Sequence, residues 1–191
     1  YWCKFRNGYE TKQPYKAAEM QWGHHRKGMD DDYDITHVRP AGKDRDMTTI
    51  ACDGKHIAGD GLVTGDGMIH CDDFPKVVRL DDGRVAGFTG TIWVQNEAVD
   101  FLNGKCTSID LGDNFEALIL GADGVCRSME GKGRIAIVPT PAVAGSGGAY
   151  ALAAMKLGKG PLEAVCLASD LDTGTGGQIV SMTPDSTNIG G

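Results

Sequence analysis

The 191-residue chain lacks most of the short signatures that assign a protein class at once. Its six cysteines (Cys3, Cys52, Cys71, Cys106, Cys126 and Cys166) form no C-x-x-C pair, which excludes a zinc ribbon and a thioredoxin-type redox motif. Cys3 with His24, His25 and His37 matches no zinc-ligand spacing. No apolar run approaches the roughly 20 residues a membrane helix needs, so no membrane partner is expected. The opening Tyr1-Trp2-Cys3-Lys4 has no apolar stretch of the signal-peptide kind, and a start on Tyr1 rather than Met suggests a processed or shortened front. No G-x-x-x-x-G-K-[ST] phosphate loop occurs, and no cofactor or metal motif is found. Broad positive charge is missing too. Residues 1–47 carry 9 Lys/Arg and 8 Asp/Glu, about +1, whereas the remainder carries 10 and 18, about −8 of the total of −7. An acidic body of this kind argues against nucleic-acid binding.

What is present falls into two segments of different grammar. Residues 1–46 have no sustained apolar period, and their aromatics (Tyr1, Trp2, Phe5, Tyr9, Tyr15, Trp22, Tyr33) are scattered among charges. A short helix around Tyr15–Trp22 fits, but such a segment builds no core alone and is expected to dock on the body or on a neighbouring subunit. From Met47 the chain turns to short strands split by tight turns. Thr48–Cys52 and Lys55–Gly59 flank Asp53-Gly54, a strong hairpin signal. Leu62–Thr64 with Met68–Cys71, and Lys76–Leu80 with Arg84–Phe88, form two further pairs. A helix over Ile92–Leu102 puts Trp93, Ala98, Phe101 and Leu102 on one side and stops at Gly104. Strands follow at Glu116–Leu120, Val125–Met129 and Arg134–Val138, then helices at Ala149–Leu157 and from Pro161 to about Leu171, then a strand over Gln178–Thr183. That order suits a layered α+β domain with antiparallel sheets and helices outside. The cysteines are expected to be reduced and mostly buried, as in a cytoplasmic protein, with disulfides of unassigned pairing in an extracellular particle as the alternative.

The residues that carry chemistry come in a fixed order. Thr48-Thr49-Ile50-Ala51 opens the second segment directly after Met47, and Ala58-Gly59-Asp60-Gly61 ends its first hairpin. Pro75-Lys76-Val77, Ala86-Gly87-Phe88-Thr89-Gly90, Ala144-Gly145-Ser146-Gly147-Gly148-Ala149-Tyr150 and Asp172-Thr173-Gly174-Thr175-Gly176-Gly177 follow. Over about residues 47–183 this series resembles the proteasome β-subunit family, most closely its HslV-type peptidases. The resemblance implies a four-layer αββα sandwich of the N-terminal-nucleophile (Ntn) hydrolases. It also implies threonine-peptidase chemistry in a homo-oligomeric assembly, with a ring as one form. By motif, Thr48 would be the nucleophile, Asp60 and Lys76 the charged pair beside it, and Gly90 the donor of an oxyanion-hole N–H. Ser146, Asp172 and Thr175 would form the polar cluster around the terminal amine, with Thr175 standing where a serine is usual. Substrates would be unfolded polypeptides, and a separate partner unfoldase would use the ATP.

The residues themselves support that chemistry. A threonine hydroxyl needs an adjacent base, and a free α-amino group, with a pKa near 7.7–8, supplies one at neutral pH. A nearby Lys76 ammonium disfavours protonation of that amine, and Asp60 would hold the lysine in place. Each residue also has a structural reading. Asp60 could be a turn residue, Lys76 a surface lysine, Ser146 a helix cap, Asp172 a helix terminator and Thr175 a plain loop residue.

Two departures from the family pattern matter. Thr48 is preceded by 47 residues, so while bonded to Met47 it has no free amine and no base. Residues 1–46 are then a propeptide or a permanent extension, or Met47 is an alternative start. Between Gly104 and Glu116 the second helix usual in the family is lost or reduced to a loop, giving a compact version of the fold. A different function also fits: a non-catalytic structural or assembly subunit, for example of a virus particle, whose extension grips its neighbours. A related amidohydrolase is a third.

Overall fold

Strict alternation in the second segment decides which side chains meet. The computed structural model describes residues 48–65 and 68–185, together with the backbone of residues 2–5 and 35–39. The chain divides into two compact units, Tyr1–Asp44 and Arg45–Gly191. In the first, β1 (Trp2–Phe5) pairs antiparallel with β2 (Ile35–Arg39), a pairing that the scattered aromatics gave no sign of. The helix expected around Tyr15–Trp22 lies outside the described residues.

The second unit opens with β3 (Thr49–Cys52) and β4 (Ile57–Gly59), paired across Asp53-Gly54. The Asp53 carboxylate accepts the Lys55 and His56 N–H groups at 2.7 and 2.6 Å and closes the turn. β5 (Val63–Gly65) and β6 (Met68–Cys71) make a separate hairpin. β7 (Val77–Arg79) pairs with β8 (Val85–Thr89), and a 3₁₀ turn at Ile92–Val94 leads into α1 (Gln95–Leu102). After β9 (Glu116–Leu120), β10 (Cys126–Glu130) and β11 (Ile135–Ile137) come β12 (Ala142–Gly145), α2 (Gly148–Lys156), α3 (Pro161–Leu171) and β13 (Val180–Met182).

The strands assemble into a five-stranded sheet, β11-β10-β9-β8-β7, and a four-stranded sheet, β12-β3-β4-β13, with every pair antiparallel. Because successive side chains point to opposite faces, each central strand feeds two cores. Ile50, Cys52 and Ile57 meet Val77, Val85, Leu118 and Leu120 between the sheets. Ala51 and Ala58 face the other way, against Ala151, Ala154, Ala164, Val165 and Ala168 of α2 and α3. On the far side, Ala86, Phe88, Ala117, Ile119 and Met129 pack against Ala98 and Leu102 of α1. The layers therefore run helix, sheet, sheet, helix: the α+β, four-layer αββα sandwich expected from the order of motifs. Small residues set the sheet spacing, since a Cβ on Gly87 would come within 2.6 Å of Ile50 Cγ2.

Several local expectations shift. Residues 103–115 contain no helix, as the compact reading required. The helix expected from Ile92 begins only at Gln95. Trp93, expected on one side with Ala98, Phe101 and Leu102, sits in the 3₁₀ turn and is 81% exposed. β12, a whole strand beside β3, was not anticipated. Of the cysteines described in full, Cys52 and Cys126 are buried, but Cys106 and Cys166 are exposed and Cys71 is intermediate; all five are free thiols. "Mostly buried" was too broad.

Candidate active site

Register places the threonines. Ile50 and Cys52 point between the sheets, so Thr48, two residues before Ile50, points the same way at the mouth of that space. Thr49 points to the helix side. Both are buried. Lys76, just before β7, extends its ammonium to the Thr48 side chain, with Nζ 2.9 Å from Oγ1. The same nitrogen donates to the Leu62 carbonyl at 2.6 Å and to Asp60 Oδ2 at 3.1 Å.

Asp60, which follows β4, is 1% exposed and bound on both oxygens. Oδ1 accepts the Thr49 N–H at 2.7 Å. Oδ2 accepts the N–H of Leu62 at 3.1 Å and of Gly176 at 3.3 Å as well as Lys76. It thus ties the strand bearing Thr48, the lysine and the 172–177 loop at one point. A buried carboxylate beside a buried ammonium is the arrangement that lets both remain ionised. Burial pushes the Lys76 amine below the ordinary lysine range, and the Asp60 charge and hydrogen bond oppose that shift.

A second polar cluster lies on the backbone side of Thr48. The Thr48 N–H donates to Ser146 Oγ at 3.4 Å, and Ser146 Oγ donates to Asp172 Oδ2 at 2.7 Å. Thr175 Oγ1 donates to the same carboxylate oxygen at 2.6 Å. That commits Thr175's one proton, so the 2.6 Å contact between the Thr49 and Thr175 hydroxyls has Thr49 as donor. Ser146 is not the cap of α2, whose N-cap is Gly147. Asp172 does stand at the C-cap of α3, so it ends a helix and joins the cluster together. The neighbouring glycines are required by close approach. A Cβ on Gly147 would overlap Thr49 Oγ1 and stand 2.6 Å from Thr175 Oγ1, and one on Gly145 would overlap the Thr48 carbonyl.

Gly90 follows β8 at φ +108°, a conformation that favours glycine, and a Cβ there would stand 2.9 Å from the Asn114 carbonyl. Among the described residues its N–H has no hydrogen-bond acceptor. Gly90 lines a small cleft with Thr48, Lys76, Thr89, Gln95 and Phe115.

Thr48, Asp60, Lys76, Ser146, Asp172 and Thr175 are thus joined by hydrogen bonds, and Gly90 lines the cleft with two of them, Thr48 and Lys76. Sequence reasoning missed Thr49 and Gln95. The period-two pattern would have placed Thr49 opposite Thr48, towards the polar loop. Gln95 gave a weaker sign, as a polar residue in step with Ala98 and Leu102. Among the described residues no group of His, Cys, Asp and Glu is arranged to hold a metal ion.

Two sheets packed face to face between helices, with a threonine heading an inner strand, define an Ntn-hydrolase fold of the proteasome β-subunit and HslV type. Solved structures share it. The BPH protein of Thiobacillus denitrificans superposes with a TM-score of 0.58 at 17% identity, covering 74% of this chain and 98% of its own. The same protein in complex with epoxomicin gives 0.54 at 17% identity, over 72% and 98%. HslV from Trypanosoma brucei gives 0.50 at 18%, over 71% and 97%. At these identities the likeness is one of fold. Neither a family model nor a curated protein sequence matches the chain.

Proposed function

We propose that this chain is the precursor of a threonine peptidase that cleaves unfolded polypeptides once Thr48 becomes its first residue. The observation that carries the reading is the Lys76 ammonium 2.9 Å from Thr48 Oγ1, itself anchored 3.1 Å from Asp60. A surface lysine has no reason to be buried in contact with a threonine hydroxyl, nor a turn aspartate to be buried against that lysine.

In the proposed reaction, cleavage after Met47 converts the Thr48 amide nitrogen into an amine. That amine lies beside Ser146 Oγ, the partner of the present N–H. It takes the Thr48 hydroxyl proton as Oγ1 attacks a peptide carbonyl, while Lys76 stabilises the negative charge forming on Oγ1. The Gly90 N–H stabilises the tetrahedral oxyanion, a contribution of about 2.7–4 kcal/mol for one such donor. The protonated amine then gives its proton to the departing peptide nitrogen, leaving an ester on Thr48 that water hydrolyses. Ser146, Asp172 and Thr175 orient the amine.

The wider reading follows the same resemblance. Copies of the chain would form an enclosed assembly, a separate ATP-dependent unfoldase would feed it, and the site of action would be the cytoplasm. Among the described residues no helix is long and apolar enough to cross a membrane. Residues 1–47 would be the propeptide. The test is to incubate the purified chain with a peptide epoxyketone of the epoxomicin kind and to map any adduct. An adduct on Thr48 of a shortened chain supports the peptidase. Full-length chain that stays unlabelled, and cleaves no unfolded casein, supports instead a structural or assembly subunit on the same fold.

A further inference from the structure

We propose that Gln95 is a positioning residue: it aims Lys76 at Thr48 by tying the turn before the lysine to the first turn of α1. The consequence for turnover rests on the peptidase reading above; the geometry does not.

Lys76 lies just outside β7; its carbonyl accepts the Phe88 N–H of β8 at 2.9 Å, which leaves the peptide on its other side to be fixed by the turn. Its N–H donates to the Phe74 carbonyl at 2.9 Å, closing a three-residue γ-turn on Pro75. Proline suits the centre of that turn because its ring holds φ near the value an inverse γ-turn needs. The Phe74 N–H is held in turn by the Gly61 carbonyl at 3.0 Å. One group remains, the Pro75 carbonyl, and Gln95 Nε2 donates to it at 2.8 Å. That carbonyl and the Lys76 N–H belong to one planar peptide unit. With both ends bonded, the plane from which the Lys76 side chain departs is fixed.

The placement of Gln95 within α1 argues for a specific task. The buried stripe of the helix is Gln95, Ala98 and Leu102, at the i, i+3, i+7 spacing of an apolar face. An amide at the head of that stripe must be bonded to be tolerated, since burying it without a partner is costly. Gln95 is 7% exposed and lines the same cleft as Thr48 and Gly90. It also stands five residues after Gly90. One side chain therefore ties the turn before the lysine to a helix that begins five residues after Gly90.

The test compares the full chain with Gln95→Met, which keeps length and helix propensity but has no donor. The Lys76 amine is titrated by NMR in chain labelled at lysine. In Gln95→Met the lysine is aimed less closely at Thr48 while its pair with Asp60 persists, so its titration moves away from that of the parent while the melting temperature holds within about 4 °C. An unchanged Lys76 titration at an unchanged melting temperature overturns the proposal. Should Gln95→Met melt much lower, Gln95→Leu is measured in its place under the same criterion. In chain processed to Thr48, kcat falls about tenfold with KM within about twofold, the share of one hydrogen bond that serves only to aim a catalytic group. A rise in KM alone overturns the positioning role. If no processed form turns over substrate but the Lys76 titration moves, the peptidase reading fails and the positioning role stands.

Discussion

Replacing Asp60 by alanine tests whether the charged pair is an integral part of the fold or an ornament on it. The substitution deletes the acceptor of four donors: the N–H groups of Thr49, Leu62 and Gly176, and the Lys76 ammonium. Lys76 is 4% exposed, so its charge stays in the interior while the Asp60 carboxylate 3.1 Å from it is lost. Breaking one side of a buried pair costs about 3–5 kcal/mol. Set against a total stability of about 5–15 kcal/mol, that leaves a marginal fold. For a unit of this size it lowers the melting temperature by roughly 8–16 °C. The loss comes from stranding the charge, so Lys76→Met should repair part of it. The double variant Asp60→Ala/Lys76→Met should be about 2 kcal/mol more stable than the sum of the two single changes. Urea unfolding at pH 7 on all four proteins gives the cycle. A cost below about 1 kcal/mol for Asp60→Ala, or additive single changes, would refute the argument.

Two further outcomes can be measured. Thr175→Val keeps the shape but removes the acceptor of the buried Thr49 hydroxyl and a donor to Asp172, and should cost about 1–3 kcal/mol in urea unfolding, whereas Thr175→Ser should stay close to the parent. Glu116, at the start of β9, has its carboxyl pushed above the usual range by burial, opposed by the Ser128 hydrogen bond and reinforced by the Glu130 charge. A carboxyl raised in the folded state binds its proton more tightly there than when unfolded. Its stabilising share is present below the unfolded value near 4.5 and is lost as pH rises through the folded one. Glu116→Gln should therefore melt above the parent at pH 7, with the gap closing well below pH 4.5.

Most of the body was legible because its strands alternate cleanly and its turns carry glycine after aspartate. Asp53-Gly54 and Asp123-Gly124 announce their hairpins without help from the rest of the fold. β12 was not legible. Ala142–Gly145 is four small residues preceded by Pro139 and Pro141 and followed by a glycine-rich loop, and it becomes a strand because β3 offers it an edge. The start of α1 was misjudged because apolar spacing runs through Ile92–Val94, while the backbone there is a 3₁₀ turn. The β1–β2 pair was invisible because its two strands stand about 30 residues apart with no shared pattern. At the site, the ordered motifs named the charged pair, the Gly90 loop and the serine cluster. They could not name Thr49 or Gln95, whose parts depend on which face a strand or helix turns to its neighbours.

Thr48 can act as a nucleophile only if its nitrogen is freed. Intact-mass measurement with N-terminal sequencing of the protein from its native source tests this most directly. The account predicts a species beginning Thr48-Thr49-Ile50-Ala51 that takes up a threonine-directed electrophile. A population that is entirely uncleaved and unlabelled would contradict it, leaving Lys76 and Asp60 as a structural ion pair.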